Sequence, residues 1–326
     1  MNWRTILAPL SPIYEAGARA RVWAYRRGVF STHKLPGRVI SVGNLTVGGT
    51  GKTPMVLWIA QRLAASGKEV GILTRGYRGS GSTSDEVRLL QSRLADAAKF
   101  GVGADRFERG SILAREGIRW FVLDDGFQHL QLARDVNILL IDAVNPFGGG
   151  KLLPAGRLRE PRSAMSRASA IVITRSEHAP AIESAIRLDS NAPIFYAQAT
   201  LDGVFGVEGD EVNVVQQSRD AKWFAFSGIG NPNAFAADLK TWDFAIAGRR
   251  VFKDHHAYSQ VDLDAVALDA ERAGATRLIC TEKDKYNLPV GARMRLPVFY
   301  CRISMRVDRE EGLLRLILGD ARSAQS

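Results

Sequence analysis

The sequence predicts an α/β protein built on a mostly parallel sheet with helices on both faces, accompanied by a second, smaller α/β lobe. Three observations carry that prediction. In the stretch 39–66 a β-branched apolar run feeds a glycine-rich turn and then a helix. Further short apolar runs at 70–74, 120–123, 136–143 and within 170–177 have the character of strands buried on both faces of a parallel sheet. From position 193 the texture shifts to short β runs with turn residues, and 326 residues exceed one comfortable core.

The turn after the first strand, TVGGTGKT at 46–53, reads as a phosphate-binding loop and makes the first lobe P-loop NTPase-like. Gly48, Gly49 and Gly51 let the backbone curl so that successive N–H groups can point at an anion. Lys52 supplies a positive charge, and the Thr53 hydroxyl is placed to ligate a metal held by the same phosphates. Thr46 stands where the strict pattern has its first glycine. Behind the loop, Val56, Ile59, Ala60, Leu63 and Ala64 follow helical spacing, and the helix offers its positive end to the same anion. Pro54 is tolerated in that first turn, whose amides have no intrahelical partner.

Taken in order, residues 1–30 read as two helical pieces, the second started by Ser11 and Pro12. Tyr14, Ala18, Val22, Tyr25 and Val29 form one stripe, and Arg19, Arg26 and Arg27 lie on another. With Trp3 and Trp23 this suits a helix resting on a bilayer surface, and equally an amphipathic helix packed on its own domain. The net charge of +10 is concentrated here: up to Arg38, seven basic residues, Arg4 the first of them, face one acid, Glu15. Such a surface suits nucleic acid or an anionic membrane face. Two cysteines, Cys280 and Cys301, provide no disulfide framework or zinc spacing, which fits a reducing cytoplasm. No run of about 18 apolar residues and no secretory h-region is present, which argues against a spanning helix or a signal peptide.

Residues 70–74 predict a strand ending in TRGYRG, with Arg75 and Arg78, followed by the small polar run GSGSTSDE. A helix is expected over VRLLQSRLADAAKF, 87–100, capped by Ser84 or Asp85. The strand WFVL then ends in Asp124 and Asp125, a pair suited to delivering carboxylates to magnesium at a sheet's carboxyl edge, or to a solvated turn before Gly126. The strand at 136–143 opens into a glycine-rich basic loop carrying Lys151, Arg157, Arg159 and Glu160, the kind of loop that builds a site in doubly wound sheets. Beyond the connector, helices are expected at about 233–241 and over 261–274, and 296–307 is apolar enough to return as a strand against the connector. Asp308 with Glu311 suggests a capping box for the last helix. The adjacent His255 and His256 are either a surface pair or proton carriers in a site, and no third ligand stands at metal spacing.

Together, SVGNLTVGGTGKTP, TRGYRG, LDDGFQHLQLARD, LPAGRLREP, SGIGNP, FKDHHAYS and TEKD, in that order, resemble the tetraacyldisaccharide 4'-kinase family of lipid A biosynthesis. The resemblance implies two α/β lobes joined by a two-stranded linker. The corresponding division is a membrane-facing segment 1–30, a kinase domain 31–192, a linker 193–221, a smaller domain 222–295, and a return strand with C-terminal helix 296–326. It implies transfer of the γ-phosphoryl group of ATP, with Mg2+, to the 4'-hydroxyl of a lipid-linked glucosamine disaccharide at the cytoplasmic face of the inner membrane. The expected enzyme is a peripheral monomer with no nucleic-acid partner. Thr46, Val47, Gly48, Gly49, Thr50, Gly51, Lys52 and Thr53 then match the ATP loop, Thr53, Asp124, Asp125 and Glu160 the metal side, and Arg75, Arg159 and Glu160 the substrate-side loops. Asp85, in an SDEV block where the family has G-D-E-P, matches the catalytic carboxylate, and His255 its partner. A competing class, the nucleotide-gated switch ATPase of partitioning systems that binds membranes or DNA, generally has lysine just before the paired glycines, where Val47 stands.

Overall fold

The computed structural model describes residues 8–76, 84–207 and 221–319. Trp3 and Arg4, Arg78 with the small polar run at 79–83, and positions 208–220 of the connector lie outside the described residues.

In chain order, a short 3-10 turn leads into helix α1 (Ser11–Arg26), then β1 (Arg38–Asn44), α2 (Lys52–Ala65), β2 (Val70–Thr74) and α3 (Asp85–Leu94). Next come β3 (Ala98–Val102), α4 (Arg106–Arg115), β4 (Trp120–Leu123), β5 (Val136–Asp142), β6 (Ala170–Thr174), α5 (Pro180–Arg187) and β7 (Ile194–Gly206). The remainder is β8 (Trp223–Ser227), α6 (Pro232–Thr241), β9 (Ile246–Val251), α7 (Gln260–Arg272), β10 (Arg277–Thr281), the short α8 (Glu282–Lys285), β11 (Val298–Val307) and α9 (Glu310–Leu318).

Three expectations are corrected. The helix expected over 87–100 is α3, which ends at Leu94, and Ala98–Val102 is strand β3, pairing in parallel with β2 from Val70↔Ala98 to Thr74↔Val102. Ala95, with φ 41°, breaks the helical path between them. The connector's short β runs are one strand, β7, of 13 residues. The capping box at the last helix does not form: the cap residue of α9 is Arg309, and the Asp308 carboxylate instead accepts the backbone N–H of Tyr196 at 2.6 Å.

The chain divides into two compact units. The first holds residues 1–78, 94–198 and 305–326. Its strands lie in the order β3-β2-β4-β1-β5-β6-β7, all parallel. Every residue of β5 is buried, so both faces of the sheet are covered, as the unbroken run VNILLID requires. Leu139, Ile141, Ile171 and Ile173 pack in one cluster with Phe127 and Ile186, while Val39, Leu73, Phe121 and Leu123 pack in another with Leu113 and Ile118. The second unit, 79–93 with 199–304, has β11-β10-β8-β9, again parallel, around a core of Phe226, Tyr258, Val266 and Tyr300. Strands β7 and β11 are neighbours and each contributes residues to both units.

One close approach positions the turn after β4. Gly126 N–H donates to the Val42 carbonyl at 2.9 Å, and a Cβ on Gly43 would stand 2.6 Å from the Phe127 nitrogen. Only glycine lets the acid-bearing turn lie on β1 this tightly. Gly43→Ala is therefore expected to lower unfolding stability by about 1–3 kcal/mol, read as a shifted denaturant midpoint with an unchanged slope.

Candidate functional site

The loop between β1 and α2 curls as its glycines allow. Gly48 (φ 123°) and Gly51 (φ 87°) occupy left-handed backbone that a side chain would strain, while Gly49 is exposed. The loop is pinned from beneath by Asn44, the last residue of β1. Its Nδ2 donates to Thr50 Oγ1 at 2.9 Å, and its Oδ1 accepts from Lys52 Nζ at 3.5 Å. Thr174 Oγ1, at the end of β6, donates to the Thr50 carbonyl at 3.2 Å. From the other side Arg157 grips the Val47 carbonyl through Nε (3.1 Å) and Nη2 (3.0 Å), and Thr46 pairs with Leu158 in an antiparallel bridge. Thr53, half-buried, is the second residue of α2, where the helix presents its positive end.

Strand β4 delivers the two acids to this loop. Asp124 is buried and accepts from Thr74 Oγ1 at 3.2 Å. Asp125 sits in a left-handed kink (φ 48°), 3.7 Å from Lys52 Nζ and at 3.0 and 2.8 Å from Arg159 Nη1 through its two oxygens. Burial raises its pKa, and the opposing pull of Lys52 and Arg159 outweighs it, leaving the carboxyl below its ordinary value. Lys52, Asp125 and Arg159, singled out from three separate stretches of chain, are thus one charge cluster. Glu160 is buried and engages Arg167 at 2.7 Å. Arg75 is exposed at the end of β2.

Two further residues of this region escaped the sequence pattern. Arg106, the first residue of α4, is buried, and its pKa is lowered by burial and by Arg75 while Asp124 and Asp125 hold it up. A cation at a helix's positive end is disfavoured, and that anomaly was the available signal. His129 is held neutral, its pKa pushed down to about 4 by burial and by the Arg106 and Arg134 charges.

Thr53, Asp124 and Asp125 offer only oxygen donors, the kind that suits a hard cation. Among the described residues no three His, Cys, Asp or Glu side chains converge on one point. Magnesium takes one or two carboxylates and completes its shell with phosphate and water, so this donor set fits it.

The second unit assembles a different group. Ser84 Oγ accepts Val87 N–H at 3.3 Å and so caps α3, which frees the Asp85 side chain for other work. Asp85 is 4% exposed, and both its oxygens lie 3.1 Å from His255 Nδ1. Asn287 Nδ2 donates to Asp85 Oδ2 at 2.9 Å, and Lys283 Nζ lies 3.8 Å from the same oxygen. Burial opposes the charge on Asp85, yet the His255 hydrogen bond, Lys283 and Asn287 prevail and hold its pKa down to about 2. His255 is raised, chiefly by its bond to Asp85, against burial and the Lys283 charge. Its backbone is left-handed (φ 58°) and its N–H donates to the Gly228 carbonyl at 2.9 Å. His256 instead contacts Asp262 at 3.1 Å, the residue that forms a capping box with Ser259 on α7. Sequence pattern singles out neither Lys283 nor Asn287; Lys283 lies within the TEKD block, 281–284, and Asn287 beyond it.

A family model described as tetraacyldisaccharide-1-P 4'-kinase matches residues 3–321. Tetraacyldisaccharide 4'-kinase of Geobacter metallireducens is 42% identical over 89% of this chain and 90% of its own length. That of Geobacter sulfurreducens is 38% identical over 92% and 89%, and that of Anaeromyxobacter 35% over 98% and 91%. Among solved structures, the "apo" form of LpxK from Aquifex aeolicus in complex with ATP aligns with TM-score 0.76 and 31% identity over 98% of this chain and 99% of that one. These matches do not favour a partitioning-type switch. A phosphate loop backed by paired acids, on a fold shared along nearly its whole length with such kinases, places this chain in the tetraacyldisaccharide-1-P 4'-kinase family.

Proposed function

We propose that the chain transfers the γ-phosphoryl group of ATP to the 4'-hydroxyl of a tetraacyldisaccharide 1-phosphate, with the loop 46–53 as the triphosphate cradle and Asp85 as the proton acceptor. The observation that carries this reading is the meeting of Lys52 with Asp125 at 3.7 Å, beside a loop whose glycines adopt the left-handed backbone an anion cradle needs.

The loop amides and the Lys52 ammonium bind the β and γ phosphates. Thr53, Asp124 and Asp125 would hold Mg2+, with Glu160 a further carboxylate on that side, and the ion would supply neutralising charge for the phosphates. Arg159 orients Asp125, and Arg75 stands at the end of β2 to meet substrate phosphate. Asp85, ionised and fixed by His255 and Asn287, takes the proton of the 4'-hydroxyl as its oxygen bonds to the γ phosphorus. The bond from that phosphorus to the β–γ bridging oxygen breaks, and ADP leaves with the electron pair. Every group in this scheme comes from one chain, which suits a monomer.

The same reading places helix α1 on the cytoplasmic face of the inner membrane. Ser11 and Tyr14 tie it to the loop 151–159, through Leu152, Ala155 and Arg159 backbone groups. Ile13 (71% exposed) and Trp23 (57%) face outward with Val29, Phe30, Arg19, Arg21, Arg26 and Arg27. Among the described residues no helix is long and apolar enough to cross a membrane, and a surface-lying helix does not need to be.

Transfer of labelled phosphate from ATP is expected to an acylated disaccharide and not to free sugar, protein or DNA; label on protein or DNA alone would overturn the assignment. Asp85→Ala is expected to lower kcat by about 10²- to 10⁴-fold, and Lys52→Ala by at least as much. Activity of Asp85→Ala within about threefold of the parent would remove the carboxylate from the mechanism. Replacing Ile13 and Trp23 together by Glu is expected to weaken co-flotation with anionic vesicles by about tenfold or more, and unchanged flotation would exclude α1 as the contact.

A further inference from the structure

We propose that Lys283 is a positioning residue for the Asp85–His255 pair, holding the imidazole in the tautomer that donates from Nδ1 to Asp85. The inference rests on the Asp85 reading above and adds a residue to it.

Lys283 lies in α8, its side chain only 18% exposed. Its ammonium stands 3.1 Å from Glu86 Oε1, 3.8 Å from Asp85 Oδ2, 3.8 Å from Asp254 Oδ1 and 3.5 Å from His255 Nε2. An ammonium has three donors and no acceptor. It can therefore bond to Nε2 only when that nitrogen keeps its lone pair, which puts the ring proton on Nδ1, opposite both Asp85 oxygens. A proton on Nε2 would set an N–H against an ammonium. Asp254 Oδ1, 3.8 Å from Nε2, pulls the other way, but it is 42% exposed and shared with Lys283. Solvent weakens its hold more than that of the enclosed lysine.

The backbone supports the same assignment. Thr281 and Asp284 form a capping box that fixes α8. Asp284, fully buried, also accepts Gly228 N–H at 2.8 Å and Tyr258 O–H at 2.9 Å. Gly228 in turn accepts the His255 N–H, and Asn287, whose amide reaches Asp85, donates its own N–H to the Asp284 carbonyl at 2.9 Å. Lysine, histidine and asparagine are thus hung from one buried carboxylate residue, so the spacing around His255 is built in rather than left to a mobile side chain. Among the described residues, Asp85 from α3, Asp254 from its own loop and Lys283 from α8 face His255, and Glu86 of α3 pairs with Lys283.

The test compares Lys283→Met with Lys283→Arg in the full chain, reading the His255 titration by imidazole NMR together with kcat and KM. In Lys283→Met the His255 midpoint is expected to rise by about half a unit or more, because a neighbouring cation is lost. With it kcat should fall about tenfold or more while KM for ATP stays within about twofold. Lys283→Arg, which keeps the charge, should recover most of kcat. An unmoved His255 midpoint, or kcat within about threefold of the parent, overturns the proposal. Lys283→Gln gives the same readouts if the methionine variant fails to fold cooperatively. The titration needs no turnover, so it judges Lys283 even if Asp85→Ala proves active and the Asp85 reading falls.

Discussion

A carboxylate held between two cations in a left-handed kink is the constraint on which the first unit's site depends. Lys52 comes from the turn after β1, Arg159 from the loop after β5, and Asp125 from the end of β4. Asp125 is the carboxylate that both cations contact. With it, three segments that share no local sequence are locked to one point. The left-handed backbone of Asp125 costs on the order of 1–3 kcal/mol, which the flanking charges and the Gly126–Val42 hydrogen bond offset.

The second unit solves a comparable problem with a buried residue. Asp284 is desolvated and its pKa is raised on balance, although the bonds from Thr281, Gly228 and Tyr258 pull the other way. A hub with so many donors fixes geometry better than an apolar side chain of equal volume could. The kink at His255, another left-handed non-glycine residue, hangs from it through Gly228.

What could be read in the sequence was what local pattern encodes. The phosphate loop announced itself because glycines, lysine and threonine must be contiguous to cradle an anion, and β1, β2, β4, β5 and β6 because burial on both faces writes an unbroken apolar run. What escaped depends on partners far along the chain. ADAAKF has helix-favouring composition, yet pairing with β2 turns its end into β3, tertiary context overriding propensity. Asp308 looked like a cap and is claimed by Tyr196 instead. Asp85 stands 170 residues from His255, and spacing alone offered it only a capping role that Ser84 in fact fills. The pairing was reached through family resemblance. Lys283 and Arg106 carried no local signature of comparable strength.

The segment 151–160 touches α1 at one end of its contacts and the nucleotide loop at the other. Ser11 and Tyr14 bond its backbone, while Arg157 holds Val47 and Arg159 holds Asp125. A displacement of α1 is therefore passed through a few main-chain bonds to the Val47 carbonyl in the glycine-rich loop. Helix α1 and the glycine-rich loop thus share one short strut, so a substitution in 151–160 that loosens one end is felt at the other.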